Sequence, residues 1–120
     1  MRKPRQLFVG LALAMAASAA SAQSAPTWPV ARADVAKLEQ TVHLPAGARA
    51  VGNYARYYIG LFSSGHRTIQ GLYRLQGPRA AGIYLNQRGV RPMDGGCGVV
   101  AVNYDAETGT VLNVSCNGIA

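Results

Sequence analysis

Acidic side chains are scarce in this chain: five, against twelve Lys and Arg, in 120 residues. Those five, Asp34, Glu39, Asp94, Asp105 and Glu107, form no recognisable acid/base pair, and Asp105 and Glu107 read as turn residues. Histidine and cysteine are as thin, with His43, His66, Cys97 and Cys116 the whole supply. The histidines lie too far apart for ligand spacing, and the cysteines make no C-x-x-C pair, so neither a metal nor a cofactor is expected. No G-x-S-x-G turn occurs to present a serine nucleophile. If the two cysteines bond to each other, a Cys–His nucleophile is also excluded. The sequence offers no catalytic residue, and a non-enzyme is the expectation.

A long hydrophobic run is also missing. "MRKPRQ" is a basic start, "LFVGLALAMAA" an apolar run, and "SAASA" ends in small residues, with Ala20 and Ala22 at positions −3 and −1 before Gln23. The apolar stretch falls short of the ~20 residues that span a bilayer, so residues 1–22 read as a secretory signal peptide and not an anchor. No cysteine follows the cleavage position to take a lipid, and no Arg-Arg pair marks twin-arginine export. The expectation is a periplasmic or secreted protein with no membrane span, a short leader at 23–29 and a single domain at 30–120.

Removing Arg2, Lys3 and Arg5 leaves nine basic against five acidic residues, and eight of the nine are Arg. Arginine grips carboxylate and phosphate in a planar fork, so the surface leans toward an anionic envelope component, a glycan or lipopolysaccharide, or toward a secreted protein. Nucleic acid is not expected as a partner, because the arginines are scattered singly with no basic run.

Two cysteines in a small exported domain predict one disulfide, Cys97–Cys116. Its loop of about 20 residues is worth roughly 3 kcal/mol in the chain-entropy model.

Val35, Leu38 and Val42 lie at helical spacing within Val30 to His43, and Pro45 and Gly47 end that helix. Downstream come five runs of strand character: Asn53–Phe62, Arg67–Gln76, Ala81–Asn86, Gly98–Asp105 and Thr110–Asn117. The fold class is therefore α+β, one N-terminal helix on an antiparallel sheet of about five strands. Read as three-residue loops, Ser63–Gly65 sets Ile59 opposite Ile69 and Tyr57 opposite Gly71, and Glu107–Gly109 sets Val100 opposite Cys116, Val102 opposite Val114 and Tyr104 opposite Leu112. Cys97 then has the wrong parity to face Cys116. "GGCG" supplies the glycines for an irregular backbone that turns it.

In this register Tyr57 and Tyr73 point to the core, while Tyr54, Arg56, Tyr58 and Arg74 share the outer face. Rings beside guanidiniums could stack on a sugar or clasp an anion, and these four are the candidate ligand-binding residues. The same residues are also ordinary strand formers, which would account for them without any ligand. The platform reading expects Tyr58→Ala to be harmless to folding and Tyr73→Ala to be damaging.

"KLEQTVHLPAGARAVGNYARYY" and "DGGCGVVAVNYDAETGTVLNVSCNG" resemble a group of small exported proteins of Gram-negative bacteria with no assigned function. The resemblance implies the exported setting and assigns no activity or site residue. The leading expectation is a non-catalytic binding module at the cell envelope. An inhibitor of a secreted hydrolase is the alternative, with a weak enzyme third. The chain's own positive charge disfavours a basic lysozyme as the target of such an inhibitor.

Overall fold

The structure is a computed structural model, and it describes residues 25–118; the expected signal peptide lies outside them. Helix α1 spans Arg32–Thr41, mid-chain and not at the N-terminus, and is followed by β1 (Ala55–Ser63), β2 (His66–Arg74), β3 (Gly82–Leu85), β4 (Val99–Asp105) and β5 (Thr110–Cys116). The start of α1 is fixed by Asp34, whose carboxylate accepts the Ala31 N–H at 2.9 Å and satisfies one donor the helix itself cannot. Val35 and Leu38 are fully buried, and Val42 is buried just past the last turn.

The five strands form one sheet in the order β3-β1-β2-β4-β5. The β1–β2, β2–β4 and β4–β5 pairs are antiparallel, but β1–β3 is parallel, which makes the sheet mixed and not wholly antiparallel. The reason lies in the connections. β2 ends beside the start of β1, and the segment Leu75–Ala81 rounds that end of the sheet, so β3 enters next to Ala55 running the same way as β1. From β3 the chain must reach β4 on the other side of the β1–β2 pair, and the segment from Asn86 to Gly98 does so across the sheet's face.

The first hairpin differs from the expected register by one residue. Ser64 and Gly65 both have positive φ, 51° and 79°, forming a two-residue turn whose twist suits the flanking strands. Ser63 therefore pairs with His66, Tyr58 with Gly71 and Arg56 with Tyr73. A one-residue slip exchanges the two faces of one strand relative to its partner. The rule that large packs on small does hold, with Tyr58 in place of Tyr57: a Cβ at Gly71 would lie 3.1 Å from the Tyr58 ring and 3.2 Å from that of Tyr73.

The second hairpin keeps Val100 opposite Cys116 and Val102 opposite Val114, then shifts so that Tyr104 faces Val111 instead of Leu112. Asp105 causes the shift. Its Oδ1 accepts the N–H groups of Glu107 and Thr108 at 2.8 and 3.0 Å, which closes a longer turn over Ala106–Gly109 and leaves Leu112 half exposed. The Cys97–Cys116 disulfide is formed, and positive φ at Gly95 and Gly96 places Cys97 in a 3₁₀ turn outside β4.

The core lies between α1 and one face of the sheet: Val35, Leu38, Tyr54, Tyr58, Ile69, Tyr73, Val100, Val102 and Tyr104. Trp28, within the segment expected as a leader, belongs to the same core. Its backbone bridges Gly60, and its indole N–H is shared between the carbonyls of Leu61 (2.9 Å) and Thr68 (3.0 Å).

Candidate functional site

The four expected platform residues do not share an exposed face. Tyr54 and Tyr58 are fully buried under α1, and Arg56 is 9% exposed. Arg74 sits on the opposite side of the sheet, where Nη1 donates to the Val90 carbonyl at 3.3 Å. The two-residue turn is the cause, since it puts the even positions of β1 on the helix side.

There Arg56 Nη1 reaches both carboxylate oxygens of Glu39 at 2.8 Å, and its Nε donates to the Tyr54 carbonyl at 3.2 Å. Tyr58 donates to Glu39 Oε2 at 2.6 Å and lies 2.7 Å from the Tyr73 hydroxyl. Tyr54 donates to the Cys97 carbonyl at 2.7 Å and accepts the Arg49 N–H at 3.0 Å, tying β1 to the disulfide turn. Burial, and then the neighbouring Tyr73, push the Tyr58 hydroxyl far above the ordinary tyrosine pKa, and burial raises Tyr73 as well. The network is closed: each hydroxyl and the guanidinium finds a protein partner within the fold, so it acts as an internal brace.

Polar groups left open to a ligand gather on the opposite face. Gly89 of the crossover presses on it so closely that a Cβ there would lie 2.7 Å from Leu72 Cδ2 and 3.0 Å from Tyr57 Cδ2. Tyr57, expected in the helix-side core, is buried instead beneath this segment and stacks on Tyr84 of β3 with ring centroids 5.3 Å apart. Beside the seat of Gly89 is an open cavity of about 220 Å³. Tyr57, Ile59, Gly71, Leu72 and Ala101 form its floor, and Gln70, Gln87, Arg88 and Arg91 its rim.

No arginine around this cavity pairs with a carboxylate among the described residues, where only Arg56 and Arg67 do so. Neutral acceptors position them instead. Arg88 donates to Gln70 Oε1 at 3.2 Å, and Arg91 Nε to Asn117 Oδ1 at 2.9 Å. Arg79 lies 4.5 Å over the Tyr84 ring on the same side. A second cavity, of about 320 Å³, opens beyond Pro92 and is lined by Arg74, Leu75, Asp94 and Gly95; Arg74 Nε is buried there without a hydrogen-bond partner.

Among the titratable residues, His66 and Asp105 meet at the far end of the hairpins. His66 Nδ1 lies 2.6 Å from Asp105 Oδ2, and this hydrogen bond raises the pKa of His66 and holds that of Asp105 down at about 2. The pair has the orientation of a base held by a carboxylate, but no hydroxyl or thiol among the described residues bonds to His66. No group of three His, Cys, Asp or Glu among the described residues could hold a metal ion, and no helix among them is long and apolar enough to cross a membrane.

Sequence reasoning found the residue types but not these sites, because Arg88 and Arg91 gain their meaning from a crossover that brings them back over Gln70 and Leu72. The faint signal was their distance in sequence from any acidic residue but Asp94. No protein-family profile, curated protein or solved structure matches the chain.

Proposed function

We propose that the protein is a non-catalytic binding module of the cell envelope, periplasmic or secreted, that holds an anionic group in the cavity beneath the Asn86–Gly98 crossover. The observation carrying this reading is that Arg88 and Arg91 are held in place by amide oxygens and not by carboxylates. An arginine fixed by a neutral acceptor keeps its charge and its remaining donors for an incoming anion. The apolar floor of Tyr57, Ile59 and Leu72 suits the ring of a sugar, and the two rim carboxamides suit its hydroxyls. The ligand class is a glycan carrying carboxylate or phosphate.

Titration with glucuronate, glucose 6-phosphate and glucose, followed by amide chemical shifts, tests the reading. The two acids should bind and shift Gln70, Arg88 and Gly89, with affinity falling as salt rises. Arg88→Gln should weaken them about tenfold, as expected for one charge-assisted hydrogen bond. Equal binding of neutral glucose, or shifts confined to other residues, would refute it.

A further inference from the structure

Met93, in the same crossover just past the rim residue Arg91, is 97% exposed, more than Val90, Leu112 or Phe62, the other exposed large apolar side chains among the described residues. Its side chain therefore packs on nothing in the fold and is free to enter a partner's pocket. Its setting is rigid. Asn117 Nδ2 donates one hydrogen to the carbonyl of Pro92 (2.7 Å) and the other to that of Asp94 (2.9 Å), so a single amide ties down the carbonyls of the residues on either side of Met93 and leaves the Met93 carbonyl itself free. The orientation of that amide is fixed by Arg91 Nε, which donates to Asn117 Oδ1. Asn117 is itself anchored, since its N–H bonds the carbonyls of Gly96 and Val99, and its neighbour Cys116 is bonded to Cys97. Pro92 restricts its own φ and the conformation of Arg91 before it.

We infer that Arg91–Gly95 is a substrate-like inhibitory loop, presenting Met93 to the specificity pocket of an endopeptidase that takes unbranched apolar side chains. The inference shares Arg91 with the arginine cavity but uses it only to orient Asn117 and not to hold an anion, so either can fail alone. A loop already fixed in its bound shape loses little entropy on docking, which makes small rigid loops strong protease ligands. The same bracing explains resistance to cleavage. If the protease nucleophile attacks the Met93 carbonyl, the Met93–Asp94 C–N bond breaks, Met93 becomes an acyl-enzyme, and Asp94 takes a proton to become a free amine. Asp94 stays tethered through its carbonyl to Asn117, so the amine remains beside the acyl carbon. It can attack, re-form the peptide bond and return the nucleophile with its proton.

The test is inhibition of chymotrypsin, subtilisin and trypsin by protein produced from the full-length chain, together with Met93→Lys and Asn117→Ala. The wild type should inhibit chymotrypsin or subtilisin and spare trypsin. Met93→Lys, a change at a fully exposed position, should shift the preference toward trypsin by about a hundredfold, as for a hot-spot residue filling a pocket. Asn117→Ala should turn the inhibitor into a substrate cut after Met93. The inference is overturned if the wild type inhibits neither chymotrypsin nor subtilisin, if Met93→Lys with an unchanged circular dichroism spectrum gains nothing on trypsin, or if the wild type is cut after Met93 as fast as an unstructured peptide of the same sequence.

Discussion

On the helix side of the sheet Arg56 meets Glu39 and is enclosed by tyrosines, whereas on the crossover side Arg74, Arg88 and Arg91 meet only amide oxygens. The residue types are the same, and what differs is the element laid over them. A helix brings a carboxylate at a fixed spacing and enough apolar surface to exclude water, so the guanidinium becomes part of the packing. A loop of irregular backbone offers carbonyls and amides, which orient a guanidinium without neutralising it. Buried arginine paired to carboxylate therefore marks structure in this protein, and arginine paired to amide marks the surface proposed to bind.

The strongest way to break this contrast is to remove a ring from the braced side. Tyr58→Ala should cost about 3–5 kcal/mol in urea unfolding, as much as Tyr73→Ala, because both rings are fully buried and share one hydroxyl network. A loss below about 1 kcal/mol would return Tyr58 to an exposed platform and reverse the assignment of faces.

The crossover side can be probed at its tightest point. Gly89→Ala forces a methyl group against Leu72 and the Tyr57 ring, and about 1–3 kcal/mol of destabilisation is expected. Hydrogen exchange should show the loss concentrated in the crossover and β3, with the helix-side core still protected. Uniform loss over the whole domain would mean that the two sides do not behave as separate layers.

The smallest effect comes from the ion pair that belongs to neither layer. His66 has its pKa raised above the ordinary 6.5, so its contribution to stability is complete below pH 6.5 and fades as pH rises through the raised value. Asp105, held down at about 2, contributes above its ordinary 3.8 and loses that contribution as pH falls toward 2. Thermal stability should therefore peak between about pH 4 and 6.5 and decline gently on the alkaline side. In His66→Gln the alkaline decline should vanish; a decline of the same size would locate its cause elsewhere. The effect is modest because His66 is nearly half exposed.

The order of one helix and five strands could be read from spacing and turn residues, because Val35, Leu38 and Val42 follow the helical repeat and glycine-containing turns separate the strands. The disulfide followed from the cysteine count and the expected compartment, and its irregular approach from the glycines around Cys97. The candidate sites could not be read in the same way. Whether "SSG" makes a two- or a three-residue turn depends on Ser64 accepting positive φ, a choice worth little locally but one that settles which side of the sheet Tyr58 and Arg56 occupy.

The sequence by itself determined the composition of the surface charge and the succession of elements, because these depend on residue types and on neighbours a few positions away, and it determined the pairing of the cysteines because there are only two. Only the tertiary structure decided that Glu39 would meet Arg56 across 17 positions, that Asn117 would brace both sides of Met93, and that the crossover would carry Arg88 and Arg91 over the sheet. Each of these contacts joins segments distant in the chain. A partner brought together by packing leaves no periodicity, spacing or motif in the linear order, so it exists only once the strands have taken their register.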